Sequence, residues 1–274
     1  MIEFFEALQT VPLIRYALIA GIFSSLSFGV MGSFVVTRRI GYIAAAIAHS
    51  SLGGIGAAIY FSRKYDLEWL TPMGGALVAA LISALIIGMI SLRAKEREDT
   101  IIGGVWATGM ATGLLFMHFA PGRGVNLESY IFGNILLTSQ ADVIAAAVLS
   151  LVVLSVTLLF YHKLVAVCFD EEFSRLRGIN SGGYFLLLLV LISISIVLLV
   201  GLTGIILAIA LIVLPAATAS RFNKQLWKIM VSSVVLTLIY TVFGLAFSFV
   251  SETPTGPVIV LIAALVYGVS LSRK

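Results

Sequence analysis

The sequence predicts an all-α protein that crosses a membrane many times, and its composition and the spacing of its apolar residues carry this prediction. Hydrophobic residues make up 60% of the 274 residues and charged residues only 11%. That charged fraction is under half of the roughly 25% found in soluble domains. The apolar residues also fall into runs of roughly 20, the length that an α-helix needs to cross a bilayer. A water-soluble fold is therefore excluded.

Charged residues and Pro/Gly breaks divide the chain into about nine predicted membrane-spanning helices, with eight as the alternative count. They cover residues 12–36, 42–61, 71–92, 100–120, 140–161, 182–200, 203–220, 227–250 and 257–272. The two spans that meet at Gly201 are short and could include a broken or re-entrant helix. Residues 126–139 are too short and too polar to cross alone, so we predict a re-entrant or interfacial segment on the outer side.

The basic residues between the spans indicate the topology. If the first break, at Arg38 and Arg39, is cytoplasmic, then 13 of the 17 lysines and arginines lie inside and 4 outside. This is the distribution of the positive-inside rule. A full crossing by residues 126–139 would reverse the side of every later span and weaken the bias. We therefore expect a multi-pass membrane protein with its N-terminus outside and its C-terminus inside. The net charge of +4 then reflects topology in the lipid bilayer and not nucleic-acid binding.

Only Pro215, in the segment LIVLPAATASR, lies inside a predicted span. Because proline lacks an N–H group, it should kink this helix and free a carbonyl, which the hydroxyl of Thr218 or Ser220 could satisfy. The kink can be purely structural or can act as a gating hinge.

The chemistry that the chain lacks narrows its function. All 13 acidic residues lie at termini, in loops or at span ends, which disfavours an ion-driven carrier with an acidic relay in the bilayer. Sodium sites built from carbonyls and hydroxyls remain open. The chain has no GxxxxGK[ST] phosphate loop, so any ATP hydrolysis by that route must occur on another chain.

No catalytic residue is predicted, and the chain is not expected to be an enzyme. His49, Ser50 and Ser51 are adjacent in sequence, but neighbouring helical positions point about 100° apart. No GxSxG or HExxH motif occurs, and either would be expected of a common hydrolase type. The single cysteine, Cys168, excludes a disulfide within the chain and a CxxC metal site.

His49 is the first candidate for a substrate-binding residue. At about 1.5 Å per residue it lies about 15 Å along the helix from Arg39, near the middle of a ~30 Å hydrocarbon core. A histidine there either hydrogen-bonds a neighbouring helix or binds the substrate, and the residues alone leave both interpretations open. Helical spacing places on its face Tyr42, Ala45, Ala46 and Gly53.

His118 is the second candidate. It lies near the outer end of the fourth span, close in sequence to Asn126, Glu128 and Asn134. Imidazole and carboxylate together suit zinc, manganese or iron. The alternative is an interfacial histidine with a solvated tip.

The segment FDEEFSRLRGI, residues 169–179, predicts a short amphipathic helix on the cytoplasmic side. Acidic residues lead, basic residues follow and a glycine ends the segment, which is the order that complements a helix dipole. Clustered acids disfavour contact with an anionic lipid leaflet, so docking into a protein groove is the better interpretation. The residues concerned are Phe169, Asp170, Glu171, Glu172, Phe173, Arg175, Arg177 and Gly178.

Five segments, in order, resemble the membrane permease subunit of bacterial ABC transporters for zinc, manganese and related metals. They are GSFVVTRRIGYIAAAIAHSSLGG, YIFGNILLTSQAD, FDEEFSRLRGI, LIVLPAATASR and TPTGPVIVLIAAL. The resemblance covers nearly the whole chain and implies a single transmembrane permease domain over residues 1–274. It also implies a homodimer, cytoplasmic ABC ATPase subunits that dock at the short helix, and an extracytoplasmic metal-binding protein. No permanent cofactor is implied, since the metal ion is the substrate.

The resemblance also implies that His49 lines the metal path, and we predict that His118, Glu128 and Asn134 belong to a metal or substrate path as well. Many family members carry an aspartate one helical turn before the histidine of the second span, whereas this chain has Ala45. Loss of that carboxylate weakens hard-ion binding most, which favours zinc over manganese. It also leaves open an ABC permease with a non-metal cargo. The alternatives from other classes are an ion-gradient-driven secondary carrier and a membrane partner that uses the family fold without transport.

Overall fold

The computed structural model describes residues 11–93, 98–122, 130–131, 133 and 138–272. Helices account for nearly all of these residues, and no strand occurs among them. The helices are α1 (Pro12–Thr37), α2 (Gly41–Tyr65), α3 (Pro72–Arg93), α4 (Glu98–Phe119), α5 (Gln140–Leu159), α6 (Tyr161–Phe169), α7 (Glu171–Leu176), α8 (Ser181–Phe222), α9 (Leu226–Ser251) and α10 (Thr255–Ser272).

Nine segments of the described chain are long and apolar enough to cross a membrane, as the sequence predicts. Seven of them are whole helices, namely α1 to α5, α9 and α10. The other two are the parts of α8, Ser181–Leu198 and Gly204–Phe222, here called α8a and α8b. The break between them falls at Gly204, whose backbone angles are φ 81° and ψ 168°. A positive φ is accessible to glycine without a steric penalty, so the interruption predicted near Gly201 occurs three residues later.

Pro215 lies within α8b, and the non-helical backbone in α8 is at Gly204 instead. The carbonyl that Pro215 frees is that of Leu211, four residues earlier. The Thr218 hydroxyl donates to the Leu214 carbonyl at 2.8 Å and the Ser220 hydroxyl to the Ala217 carbonyl at 2.8 Å. The expectation that one of them takes up the freed carbonyl is therefore wrong, and a kink at Pro215 stays a prediction.

Several serine and threonine hydroxyls inside the spans bond to their own helices, whereas those of Ser24, Ser27, Ser150 and Ser233 are buried without a partner among the described residues. Ser33 donates to the Gly29 carbonyl at 2.7 Å, Thr157 to Val153 at 2.6 Å and Ser193 to Leu189 at 2.7 Å. A polar group without a partner is costly in hydrocarbon, and a carbonyl one turn back is the nearest acceptor. The bonded hydroxyls therefore do not mark a polar channel.

The helices form two compact units. The first contains residues 1–39, 128–159 and 198–274, and in it α1 packs against α5 and α9, while α10 packs against α9. A side chain on Gly29 would clash with the backbone of Val234 on α9. Small residues thus let these two helices approach closely, as is common between membrane helices.

The second unit contains residues 40–127 and 160–197. Its centre is α2, which packs against both α3 and α4. A Cβ on Gly54 would clash with the backbone of Gly75 on α3, and a Cβ on Gly56 with that of Gly113 on α4. The small residues along α2 are therefore required by contacts on two sides.

Most of residues 126–139 lie outside the described part of the chain, and so do Glu128 and Asn134. The re-entrant or interfacial placement of this segment stays a prediction. The organisation of residues 1–274 as a single permease domain also stays a prediction.

Candidate functional site

His49 lies in the first half of α2, eight residues after Gly41, and is half-buried. Its Nδ1 is 2.9 Å from the backbone carbonyl oxygen of Ala45, one turn earlier. A carbonyl only accepts hydrogen bonds, so Nδ1 carries the proton and Nε2 keeps its lone pair in the neutral ring. Metal-binding histidines are commonly oriented in this way, with one ring N–H on a carbonyl and the other nitrogen available to the ion.

Trp106 of α4 stacks on His49. The ring centroids are 4.2 Å apart and the rings are inclined by 25°. The contact covers one face of the imidazole and restricts its rotation, so that two independent contacts fix the direction of Nε2. Sequence reasoning missed Trp106. Its position inside a predicted span, six residues after the start at residue 100, was the available signal, because tryptophan is enriched at the ends of spans.

The stack depends on the close packing of α2 and α4. A Cβ on Gly109 would lie 2.5 Å from Cα of Ser50, and one on Gly53 would lie 2.9 Å from the Gly109 carbonyl oxygen. Trp106 precedes Gly109 by three residues and His49 precedes Ser50 by one. The glycines therefore bring the two helices close enough for the rings to meet.

A pocket of ≈ 660 Å³ lies beside this site and is lined by α2, α3, α4 and the connection before α3. Most of the lining is apolar, and His49 is not part of it. The hydroxyls of Ser50, Thr108 and Thr112 line the pocket but donate to carbonyls of their own helices. The pocket is thus suited to apolar groups and not to a metal ion.

His118 is exposed at the end of α4 and contacts the ring of its neighbour Phe119 at 5.1 Å. It follows Trp106 by 12 residues, about 18 Å along an α-helix. His49 and His118 therefore do not form one binding site. Within the described residues no group of three or more His, Cys, Asp or Glu side chains could hold a metal ion. Since Glu128 and Asn134 lie outside those residues, their part in a path with His118 stays a prediction.

Glu98 joins three helices at the end of the second unit that is predicted to face the cytoplasm. Its carboxylate accepts hydrogen bonds from Ser91 Oγ of α3 at 2.8 Å and from Tyr42 Oη of α2 at 3.3 Å. Glu98 itself is the first residue of α4. Sequence reasoning placed Tyr42 on the His49 face but did not foresee this contact, since it joins residues far apart in the chain.

The short helix predicted after the fifth span is present as α7. The carboxylate of Asp170 caps its N-terminus by accepting a hydrogen bond from the Phe173 N–H at 2.8 Å. Gly178 follows its C-terminus with φ 74°. The Gly178 N–H donates to the Arg175 carbonyl at 2.9 Å, which helps satisfy the carbonyls at the helix end.

The apolar side chains of this segment are exposed. The exposed fractions are 63% for Phe169, 49% for Phe173 and 88% for Leu176. The Arg177 guanidinium lies 4.8 Å from the centre of the Phe173 ring, and Glu172 is exposed. Three large apolar side chains left open on one short segment are typical of a protein-binding surface. The remaining two predicted residues, Glu171 and Arg175, form an ion pair at 2.8 Å.

These features define a polytopic membrane protein of transport type, with a histidine inside its second span and a short helix that carries exposed apolar side chains. The ABC 3 transport family matches residues 10–274, and the chain belongs to this family. It is therefore a multi-pass permease-type component of an ABC transport system.

Several relatives carry names from metal transport. A Chlamydia pneumoniae protein described as a probable metal transport system membrane protein is 37% identical over 93% of this chain and 87% of its own length. The manganese transport system membrane protein MntC of Halalkalibacterium halodurans is 28% identical over 97% of this chain and 89% of its own length. The solved structure of PsaBC from Streptococcus pneumoniae in complex with Fab matches with a TM-score of 0.86 and 28% identity, covering 98% of this chain and 95% of that one.

Proposed function

We propose that the protein is the permease subunit of an ATP-driven importer for a divalent transition metal. The observation that carries the proposal is the orientation of His49, whose Nδ1 is engaged by the Ala45 carbonyl so that Nε2 is left to bind an ion. A midspan imidazole held in this way supplies one ligand. One ligand gives weak binding, and weak binding suits a path through which the ion must pass.

The metal is zinc or manganese. Ala45 has no side-chain carboxylate and its backbone carbonyl already accepts a hydrogen bond from His49, so this position lacks the carboxylate ligand that manganese prefers. This favours zinc. The names of relatives such as MntC favour manganese. Specificity then belongs mainly to the protein that delivers the ion.

The partners follow from the same proposal. Two ABC ATPase subunits dock on the cytoplasmic side against the exposed side chains of Phe169, Phe173 and Leu176. An extracytoplasmic metal-binding protein delivers the ion from outside, and a second copy of this chain completes the permease. ATP binding changes the access to a path that α2 lines. The N-terminus lies outside and the C-terminus inside the bacterial cytoplasmic membrane.

The test is metal uptake by proteoliposomes that contain this chain with its cognate ATPase and binding protein. Zinc and manganese are compared, each with ATP and with a non-hydrolysable analogue. We expect accumulation of one or both metals only with hydrolysable ATP. Accumulation driven by an ion gradient without ATP would contradict the proposal and indicate a secondary carrier.

A permease with a non-metal cargo is the second candidate, and Ala45 is the observation that favours it. The outcome that supports this candidate is an ATPase activated by the loaded binding protein with no movement of either metal. Binding of the ATPase without any transport would instead indicate a membrane partner that only uses the family fold.

A further inference from the structure

We propose that Arg175 and Ser181 are positioning residues that join the short helix α7 to the start of α8, so that a displacement of α7 is passed to α8a. The inference rests on the proposed function, in which α7 receives the ATPase. Only residues 177–180 separate the two helices. The link is therefore short, and its side-chain contacts decide whether it is stiff.

The Arg175 guanidinium makes contacts on both sides of this link. Its Nε donates to Ser181 Oγ at 2.9 Å, and its Nη2 lies 2.8 Å from Glu171 Oε1. The Ser181 hydroxyl also lies 3.4 Å from Glu171 Oε1, where it can donate. Three side chains thus close a ring of polar contacts. The ring connects the first residue of α7, a residue of its last turn and the first residue of α8.

Burial differs within this ring. Ser181 is only 3% exposed, whereas the side chain of Arg175 is 63% exposed. An exposed ion pair contributes little to stability by itself. The planar guanidinium can hold two partners at fixed directions, which lysine cannot do. Arg175 therefore acts by fixing the relative position of its partners and adds little to stability. This positioning depends on its contact with Ser181.

The backbone of the link is paired as well. The Ile179 N–H donates to the Ser174 carbonyl at 3.0 Å, and the Asn180 side-chain oxygen accepts from the Gly183 N–H at 3.0 Å. The first bond holds the link to α7 and the second caps the start of α8. Each end of the link is thus held to its own helix, and motion of α7 relative to α8a has to break the contacts that Ser181 makes with Arg175 and Glu171.

Different side chains bind the ATPase and pass its motion on to α8a. Phe173 and Leu176 are exposed and free to meet a partner surface, while the Arg175 guanidinium is engaged within the chain. Sequence analysis grouped Arg175 with the docking residues. We instead expect its loss to leave the ATPase bound and to impair the use of ATP for transport.

The experiment uses the full transporter in proteoliposomes and measures ATPase co-purification, ATP hydrolysis and metal uptake. We expect Arg175→Ala and Ser181→Ala to retain the ATPase and to lower uptake per ATP hydrolysed at least threefold. The double variant should be no worse than either single one, because both remove the same contact. Ser220→Ala is the matched control, since this serine near the other end of α8 bonds only to its own helix. Additive losses, or loss of the ATPase from the Arg175 variant, would overturn the inference.

A second measurement does not depend on transport. Hydrogen exchange of residues 169–184 in the full-length chain in detergent should be at least threefold faster in Arg175→Ala than in the unmodified protein. Unchanged exchange would refute the link itself. Absence of ATP-dependent uptake by the unmodified transporter would refute the proposed function and leave the exchange result to decide the link.

Discussion

At the residue scale, the proposed transport depends first on His49. Its place at the middle of a span follows from counting residues from Arg39, but the choice between a structural and a ligand role does not. The contact between Nδ1 and the Ala45 carbonyl lies within one helix and engages only one of the two ring nitrogens. Because the neutral ring is left with an acceptor at Nε2, the structure favours the ligand role.

Replacement of His49 by alanine should abolish ATP-dependent metal uptake or reduce it at least tenfold, while the transporter still assembles. The reason is that the described part of the path has no other imidazole at this depth. Uptake of radioactive zinc or manganese by proteoliposomes measures the effect. His162→Ala is the control, because this histidine is the second residue of α6 and its ring contacts that of its neighbour Tyr161. Normal uptake by the His49 variant would return this residue to a structural role.

Trp106→Ala should lower uptake several-fold with smaller loss in Trp106→Phe. Stacking contributes about 0.5–1.5 kcal/mol beyond burial, and a phenyl ring retains part of it. The measurement is the concentration dependence of uptake for the three proteins. Equal losses in the alanine and phenylalanine variants would argue that the indole ring acts by something other than stacking.

At the element scale, the small residues of α2 set how closely its neighbours approach. Gly54→Ala places a Cβ against the backbone of Gly75, and backbone cannot move aside as a flexible side chain can. We expect a loss of about 1–3 kcal/mol of stability, the usual cost of overpacking. Thermal denaturation in detergent would show it as a lower midpoint.

Gly103→Ala is the matched control for this prediction. A Cβ there meets no atom of the described residues within 4 Å, and alanine is a better helix former than glycine by about 1 kcal/mol. The variant should be as stable as the unmodified protein or slightly more so. A similar destabilisation by both substitutions would show that contact with α3 is not the cause.

Another prediction at this scale concerns the short helix α7. Phe173→Ala should reduce co-purification of the ATPase, because it removes a half-exposed ring from the proposed docking surface. The fold of the chain should be unaffected, since the Asp170 cap bonds to the backbone N–H of this residue and not to its side chain. Pull-down at several salt concentrations measures the effect. Full retention of the ATPase would contradict the docking role.

At the scale of the whole molecule, the topology is the property to test. The exposed residue Trp69 lies in the connection before α3 and Ser272 at the end of α10. With Cys168 replaced by serine, a cysteine at Trp69 should react with a membrane-impermeant thiol reagent only from outside. A cysteine at Ser272 should react only from inside. The opposite labelling pattern would show that the predicted orientation is wrong and that the distribution of basic residues does not indicate the topology of this chain.

The spans and the short helix were accessible from the sequence for a local reason. In hydrocarbon, each crossing helix must be apolar over about 20 residues and must pair its own backbone hydrogen-bonding groups. Each span can therefore be recognised in the sequence without knowledge of its neighbours. The same holds for α7, whose acids, bases and closing glycine all act within a few residues of each other. The break in α8 was predicted near Gly201 and occurs at Gly204. The error of three residues arises because a positive φ at a single glycine leaves only a weak signal in the sequence.

The contacts that define the site were decided by the tertiary structure. Trp106 is 57 positions from His49 and Glu98 is 56 positions from Tyr42, and no periodicity within a helix indicates which residues of two helices will meet. Such pairs depend on the distance and rotation of neighbouring helices, which the close approach of Gly53 and Gly109 sets here. The sequence by itself determined that this chain crosses a membrane about nine times and carries a histidine at mid-depth. Only the packing of α2 against α4 decided that the ring stacks on an indole, because that contact exists only once the helices are assembled.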